Sequence, residues 1–351
     1  MNVLDLFCGC GGLSQGFKLA NFNIVGGVDS DEDSISTFSK NFPGSNAICK
    51  DILIFDKKKI EENYSNIDVI IGGPPCQGFS NANRWHKKKD DSRNKLFFEY
   101  LKFVEVLRPK VVLIENVKGI LSRNNGFAKV KIEQLIKDLG YNVSSKVLFA
   151  SDFGIPQYRQ RAFFVCINTK YKNIFFDFDN LEKKAKVTVK EAIGDLYNLK
   201  MNKNHQYKTP SRKKLNDYLT YLRSSDIITS HEIKYPAEST QEKISHVAQG
   251  GNWSSIPEHL FKTSRSNRHS SAFKRLDEKD CSVTIDTGNA HSNYFHPIYN
   301  RIPTVREAAR IQSFQDDFQF CGSRTSQYKQ VGNAVPPLLS FQLAKKLQRI
   351  L

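Results

Sequence analysis

The chain has 351 residues, enough for two domains of roughly 150 residues each and for a core that needs no disulfide staples. Lysine and arginine total 52 against 36 acidic residues, and the net charge of +16 favours a polyanionic partner such as nucleic acid. No stretch is apolar enough to span a membrane, and an apolar run starts at once with no room for a signal peptide. Seven cysteines without a Cys-x-x-Cys pair form neither a disulfide framework nor a zinc pattern, so a cytoplasmic, metal-free protein is expected.

Val3-Leu4-Asp5-Leu6-Phe7 reads as a first buried strand, followed by the turn Cys8-Gly9-Cys10-Gly11-Gly12 and a helix pattern through Leu13, Phe17 and Leu19. Strand, glycine turn and helix bring backbone amides close to a nucleotide-like ligand. A second apolar segment, Ile24 to Val28, ends on Asp29, which is placed to accept hydrogen bonds from ribose hydroxyls. Ser14 stands where a dinucleotide pattern wants glycine, which counts against a nicotinamide cofactor. Asp51 either supplies another polar contact at the same sheet edge or caps the turn that follows.

Val69-Ile70-Ile71 has the composition of a short buried parallel strand, broken by Gly72-Gly73-Pro74-Pro75. Cys76 follows at the tip of that turn, where an open α/β sheet places its functional groups. Two readings stand side by side: a buried thiol that behaves as a small hydrophobe, or a nucleophile. Residues 81–95 are basic, include Trp85 and His86, and read as a lid that closes on a polyanion. Residues 96–107 show helical spacing stopped by Pro109, and the next apolar strand ends on Glu115. Glu115 either shares a pocket with Cys76 or points to water.

Residues 127–139 predict a helix capped by Gly140, and residues 143–149 alternate loosely. Gln157, Arg159 and Arg161 are spaced two apart, so on a strand they share a face, toward either an oxygen-rich ligand or solvent. From about Phe176 to Arg268 apolar runs become scarce and residues that touch phosphates and base edges accumulate, which predicts a second, less regular domain. Thr304 and Glu307 form a capping box. Pro337 opens a last helix with Leu339, Leu343 and Leu347 on one face, expected to return to the first domain.

Six motifs in order carry a resemblance. Asp5-Leu6-Phe7-Cys8-Gly9-Cys10-Gly11-Gly12 and Pro74-Pro75-Cys76-Gln77-Gly78-Phe79-Ser80 come first, then Glu115-Asn116-Val117 and Gln157-x-Arg159-x-Arg161. Arg306-Glu307-Ala308-Ala309-Arg310 and Gly332-Asn333-Ala334-Val335-Pro336 complete the series. Together they resemble the C5-cytosine DNA methyltransferase family of restriction-modification type, over nearly the whole chain outside residues 176–268. Asn94 departs from the family's glycine in the lid region.

The resemblance implies an α/β, Rossmann-like methyltransferase domain with a mostly parallel sheet, and a smaller irregular target-recognition domain. It places catalytic residues in 1–175, target recognition in 176–303 and closing motifs in 304–351. It implies a monomer that methylates carbon 5 of a flipped-out cytosine in double-stranded DNA, with S-adenosylmethionine as cofactor. A cognate restriction endonuclease with no direct contact is the implied partner. Cys76 is the implied nucleophile and Glu115 the acid at ring nitrogen 3. Arg161 and Arg159 would hold the cytosine carbonyl oxygen or its phosphate. The cofactor would lie on Phe7, Gly9, Gly11, Gly12 and Leu13 of the first turn. Asp29 and Ser30 would meet the ribose side, and Asp51 and Ile52 the adenine side. Pro74, Leu101, Asn333 and Val335 would complete the pocket.

Overall fold

A computed structural model of the protein describes residues 1–75, 94–201, 206–211, 215–261, 273–287 and 294–351. The chain folds as two compact units. The first comprises Met1–Phe149, Gln160–Lys183 and Pro337–Leu351. Its centre is a seven-stranded sheet of β1 (Asn2–Leu6), β2 (Asn23–Asp29), β3 (Asn46–Cys49), β4 (Val69–Gly72), β5 (Val111–Val117), β6 (Tyr141–Phe149) and β7 (Gln160–Asn168).

The strand order is β3-β2-β1-β4-β5-β7-β6. The first five strands pair in parallel; β7 runs antiparallel to both β5 and β6. This is a doubly wound α/β sheet with a reversed hairpin at one edge. Continuous apolar runs make the inner strands: Val3, Leu4 and Leu6, Val69 to Ile71, and Val111 to Ile114 are all wholly buried. A strand covered on both faces has no place for polar alternation.

Helices α1 (Gly12–Leu19), α2 (Glu32–Asn41), α3 (Lys57–Asn63), α4 (Lys95–Leu107) and α5 (Phe127–Asp138) connect these strands. Their ends follow local chemistry. Asp31 Oδ1 accepts the Ser34 amide at 2.8 Å to start α2. Gly140, at φ +90°, takes the left-handed conformation just past α5. The last helix, α6 (Pro337–Ile350), packs on α1 within this unit. Leu339, Leu343 and Leu347 are wholly buried there, and Ser340 Oγ donates to the Leu13 carbonyl at 2.6 Å.

The second unit comprises Ala150–Arg159 and Lys184–Pro336. Its described sheets are two-residue ladders, Tyr207–Lys208 with Ile227–Ile228 and Lys274–Arg275 with Tyr294–Phe295. Buried ion pairs accompany these short elements. Arg301 makes a bidentate pair with Glu307 at 2.7 and 2.8 Å. Arg310 holds Asp316 on one side and Asp195 on the other, and Asp195 also meets Arg223. The helix Val305–Ile311 opens with the expected box: Thr304 Oγ1 accepts the Glu307 amide, and the Glu307 carboxylate accepts the Thr304 amide.

Candidate active site

The parallel strands end in register. Leu6 lies opposite Val28 of β2 and Gly72 of β4, and Gly72 lies opposite Ile114 of β5. The chain segments that follow these residues therefore emerge along one edge of the sheet. Because β7 runs antiparallel to β5, its first residues arrive at the same edge, with Arg161 opposite Val117.

An acid is built there. Arg161 Nε donates to Glu115 Oε1 at 2.8 Å, with both side chains largely covered. The same guanidinium donates from Nη1 to the Gln160 carbonyl, which fixes its plane. The second oxygen of Glu115 rests against Gly73, where any Cβ would come within 2.9 Å of Oε2. Asn116 Nδ2 donates to the Pro74 carbonyl at 3.0 Å, while its own Oδ1 accepts the Val117 amide. The end of β5 and the turn that leads toward Cys76 are thus bound to one another. Cys76 and residues 77–93 lie outside the described residues, and with them most of the expected lid.

The first turn is tightly wound. Phe7, a non-glycine residue, sits at φ +59°, and Gly9 and Gly11 at φ +52° and +94°. Asp29 Oδ2 accepts the Gly9 amide at 2.8 Å and Oδ1 accepts the Asp31 amide at 3.0 Å. Each of these oxygens keeps a further lone pair for a ligand. Leu13, Ile52, Pro74 and Leu101 are buried and Ser30 is exposed, with its carbonyl near Cys49. Asp51 Oδ1 accepts the Leu53 amide at 3.0 Å, the cap that was one of its two readings. Asn333, exposed, and Val335, buried, belong to the second unit.

One expectation is corrected. Strand β7 begins only at Gln160, so Gln157 and Arg159 do not share a strand face with Arg161. Residues 150–159 lie in the second unit, with Gln157 in an isolated bridge to Ser282. There Arg159 is wholly buried and donates to the carbonyls of Ile285 at 2.8 Å and Gly332 at 2.9 Å. Gln157, equally buried, bonds Gln312 and the Ile285 amide. The alternation rule fails because the segment changes partners within five residues: Gln157 bridges Ser282 and the Tyr158 amide donates to the Ser282 carbonyl, whereas the chain from Gln160 onward pairs with β6.

A further group escaped notice as an individual residue. Asp5, on β1, is wholly buried; its Oδ2 accepts the Ser14 hydroxyl at 2.7 Å. Burial pushes its carboxyl up to about 8, against the Ser14 hydrogen bonds and with help from the nearby Asp29 charge. The signal was present: one acid inside an otherwise apolar strand.

Comparisons with known proteins show the family of the chain. The model of the C-5 cytosine-specific DNA methylase family matches residues 1–349. The chain belongs to that family. This methylase is 33% identical over 370 residues to the type II methyltransferase M.DdeI of Desulfomicrobium norvegicum, covering 99% of this chain and 88% of the relative. It is 34% identical over 353 residues to M1.HphI of Haemophilus parahaemolyticus, covering 100% of this chain and 87% of the relative. Among solved structures it resembles a DNA modification methyltransferase encoded within an E. coli prophage, with TM-score 0.80 at 29% identity and 99% of each chain covered. The fold is shared with the Dnmt2 methyltransferase of S. pombe at TM-score 0.64 and 18% identity, over 100% of this chain and 99% of that one.

The first turn of the methylase fits a cationic nucleoside cofactor by two observations. A Cβ built on Gly9 would meet nothing within 4 Å, so the turn leaves open space at its crest. Beside it Asp5 Oδ1, fully buried, has no hydrogen-bond partner among the described residues. No helix among the described residues is long and apolar enough to cross a membrane. No group of three or more histidine, cysteine or acidic side chains suited to a metal occurs among the described residues either.

Proposed function

We propose that this methylase is a sequence-specific DNA (cytosine-5)-methyltransferase that works through a covalent adduct at Cys76. Its role would be to protect host DNA in a restriction-modification system. The observation that carries the reading is the Glu115–Arg161 pair, tied through Asn116 and Pro74 to the turn that enters Cys76. Family membership and the named type II relatives support it.

Cytosine carbon 5 is a poor nucleophile. A thiolate that adds to carbon 6 forms a carbon–sulfur bond and pushes an electron pair toward nitrogen 3. Glu115 delivers a proton to that nitrogen, and carbon 5 becomes enamine-like. Arg161 holds the carboxyl in place through Nε, a positioning role. S-adenosylmethionine, when bound on the first turn, supplies the electrophilic methyl group. Solvent water then takes the carbon 5 proton, the freed pair forms the carbon 5–carbon 6 double bond and expels Cys76 as thiolate, and nitrogen 3 returns its proton to Glu115. Cys76 cannot reach carbon 6 inside a stacked duplex, so the base must leave the helix.

Phe7, Gly9, Gly11, Gly12 and Leu13 would hold the cofactor from the first turn, Asp29 and Ser30 its ribose side, and Asp51 and Ile52 its adenine side. Pro74 and Leu101 are assigned to the remaining walls. Arg159 is assigned to shaping the main chain around Ile285 and Gly332. Residues 176–303 are assigned to target recognition, in keeping with the excess of basic residues in the chain. The test is Cys76→Ala, assayed with labelled S-adenosylmethionine and mixed-sequence duplex DNA. No methyl incorporation is expected; retained methylation would rule out the covalent route.

A further inference from the structure

Asp5 is the one wholly buried carboxyl on the described strands of the sheet, and the catalytic reading makes no use of it. It lies in β1 between Leu4 and Leu6, opposite Gly27 of β2 and Ile71 of β4. Its Oδ2 accepts from Ser14 in the first turn of α1, while Oδ1 has no partner among the described residues. A buried acceptor left without a donor is costly, and it persists where a ligand completes it.

The surroundings make an ionised Asp5 harder still to sustain alone. From β2 comes the carboxylate of Asp29, a like charge. From the turn come the thiols of Cys8 and Cys10, and from α4 the hydroxyl of Tyr100, all felt by Asp5. Burial pushes Cys10 up to about 12 and pushes Cys8 and Tyr100 well above their ordinary ranges, so these three stay neutral near pH 7. Lys18 of α1 is exposed and bonds the Asn41 carbonyl. Asp68 lies at the far end of β1, where it bonds Asn2 and Lys110. No cation on the described elements around Asp5 balances its charge.

We propose that Asp5 is the proton-exchanging charge partner of the cofactor: it holds a proton while no cofactor is bound and releases it to solvent as the cofactor's positive charge arrives. The proposal rests on the reading of S-adenosylmethionine, which carries a sulfonium and an ammonium group, as cofactor. The carboxyl pushed up to about 8 in the ligand-free protein agrees with it. The sign is definite. The ligand-free protein binds more protons than the complex at neutral pH, so affinity rises with pH and levels off above about 8.

The test is calorimetric titration of S-adenosylmethionine into the whole protein at several pH values, each in two buffers of different ionisation enthalpy. The expected result is release of about one proton per cofactor and affinity that climbs by up to about tenfold per pH unit between about pH 6 and pH 8. Asp5→Asn copies the shape of the protonated acid; it should release fewer protons and bind with a flatter pH profile. Near pH 6 to 6.5 an α-amino group is already protonated in the free cofactor, so proton release counted there reports the protein alone. If the variant fails to fold, the native protein's count in that range still answers the question. Tight binding with no proton release, or equal release by the variant, would reduce Asp5 to a tie between β1 and α1 and overturn the proposal. Absence of binding at every pH would instead overturn the cofactor reading on which it stands.

Discussion

Glu115 has one oxygen taken up by Arg161 and the other laid on the main chain of Gly73. This arrangement directs a carboxyl toward the turn that carries the thiol while the guanidinium limits its rotation. Glu115→Gln keeps the shape and removes the transferable proton. It should leave S-adenosylmethionine binding intact and lower the methyl-transfer rate by roughly 10²- to 10⁴-fold, the usual range for a general acid. Single-turnover kinetics together with cofactor titration separate the two effects, and unchanged turnover would remove Glu115 from the acid role. At this scale the sequence was partly legible. Glu115 and Arg161 announced themselves as polar groups at strand ends. Asp29 and Asp51 did so as well, yet both have main-chain amides as partners here. The use of Arg159 was hidden, because a side chain wrapped around main-chain carbonyls more than a hundred residues away in the chain leaves no local pattern.

The elements repeat that contrast. Buried parallel strands show as apolar runs, and helices show through caps such as Thr304 and Gly140, since both signals are local. The packing of α6 on α1 shows only in part. Leu339, Leu343 and Leu347 predict a covered face, but the close approach depends on Gly16. A Cβ there would stand 2.5 Å from the Phe341 amide nitrogen and from the Pro337 carbonyl. In an exposed helix Gly→Ala stabilises by about 1 kcal/mol. Here the clash is with main chain, and overpacking of this kind costs about 1–3 kcal/mol. Gly16→Ala should therefore lower the denaturation midpoint rather than raise it. A raised midpoint in urea melts would show that α6 shifts freely. The buried Arg306 and Arg310 were illegible as core residues, because Arg306 bonds the Thr229 carbonyl 77 residues away and Arg310 bonds Asp195 115 residues away, and neither partner leaves a local pattern.

Across the whole molecule two buried groups respond to pH in opposite directions. Asp5 sits well above its ordinary value of 3.8, so the stability it lends is present at low pH and declines as pH rises toward about 8. His296, in the second unit, is pushed down to about 3, chiefly by burial and further by Arg301 and Arg275. Its Nδ1 accepts the amides of Ile298 and Tyr299, both at 3.1 Å, so a proton there would face two donors. A depressed histidine lends stability above its ordinary value of 6.5 and loses it as pH falls. The two trends offset each other in the native protein, and variants separate them. His296→Asn retains an acceptor for the two amides. It should gain on the native protein by about 1.4 kcal/mol for each pH unit below about 6.5, read from urea midpoints. A difference that stays constant with pH would show that His296 already carries its proton in the fold.

The central claim concerns the base that is modified. Bisulfite sequencing of DNA from cells that express the chain, beside cells that express Cys76→Ala, tests it most directly. The account predicts cytosines protected from conversion at one short recurring word with the native chain, and none with the variant. Full conversion in both would contradict it, as would protection that persists without the thiol.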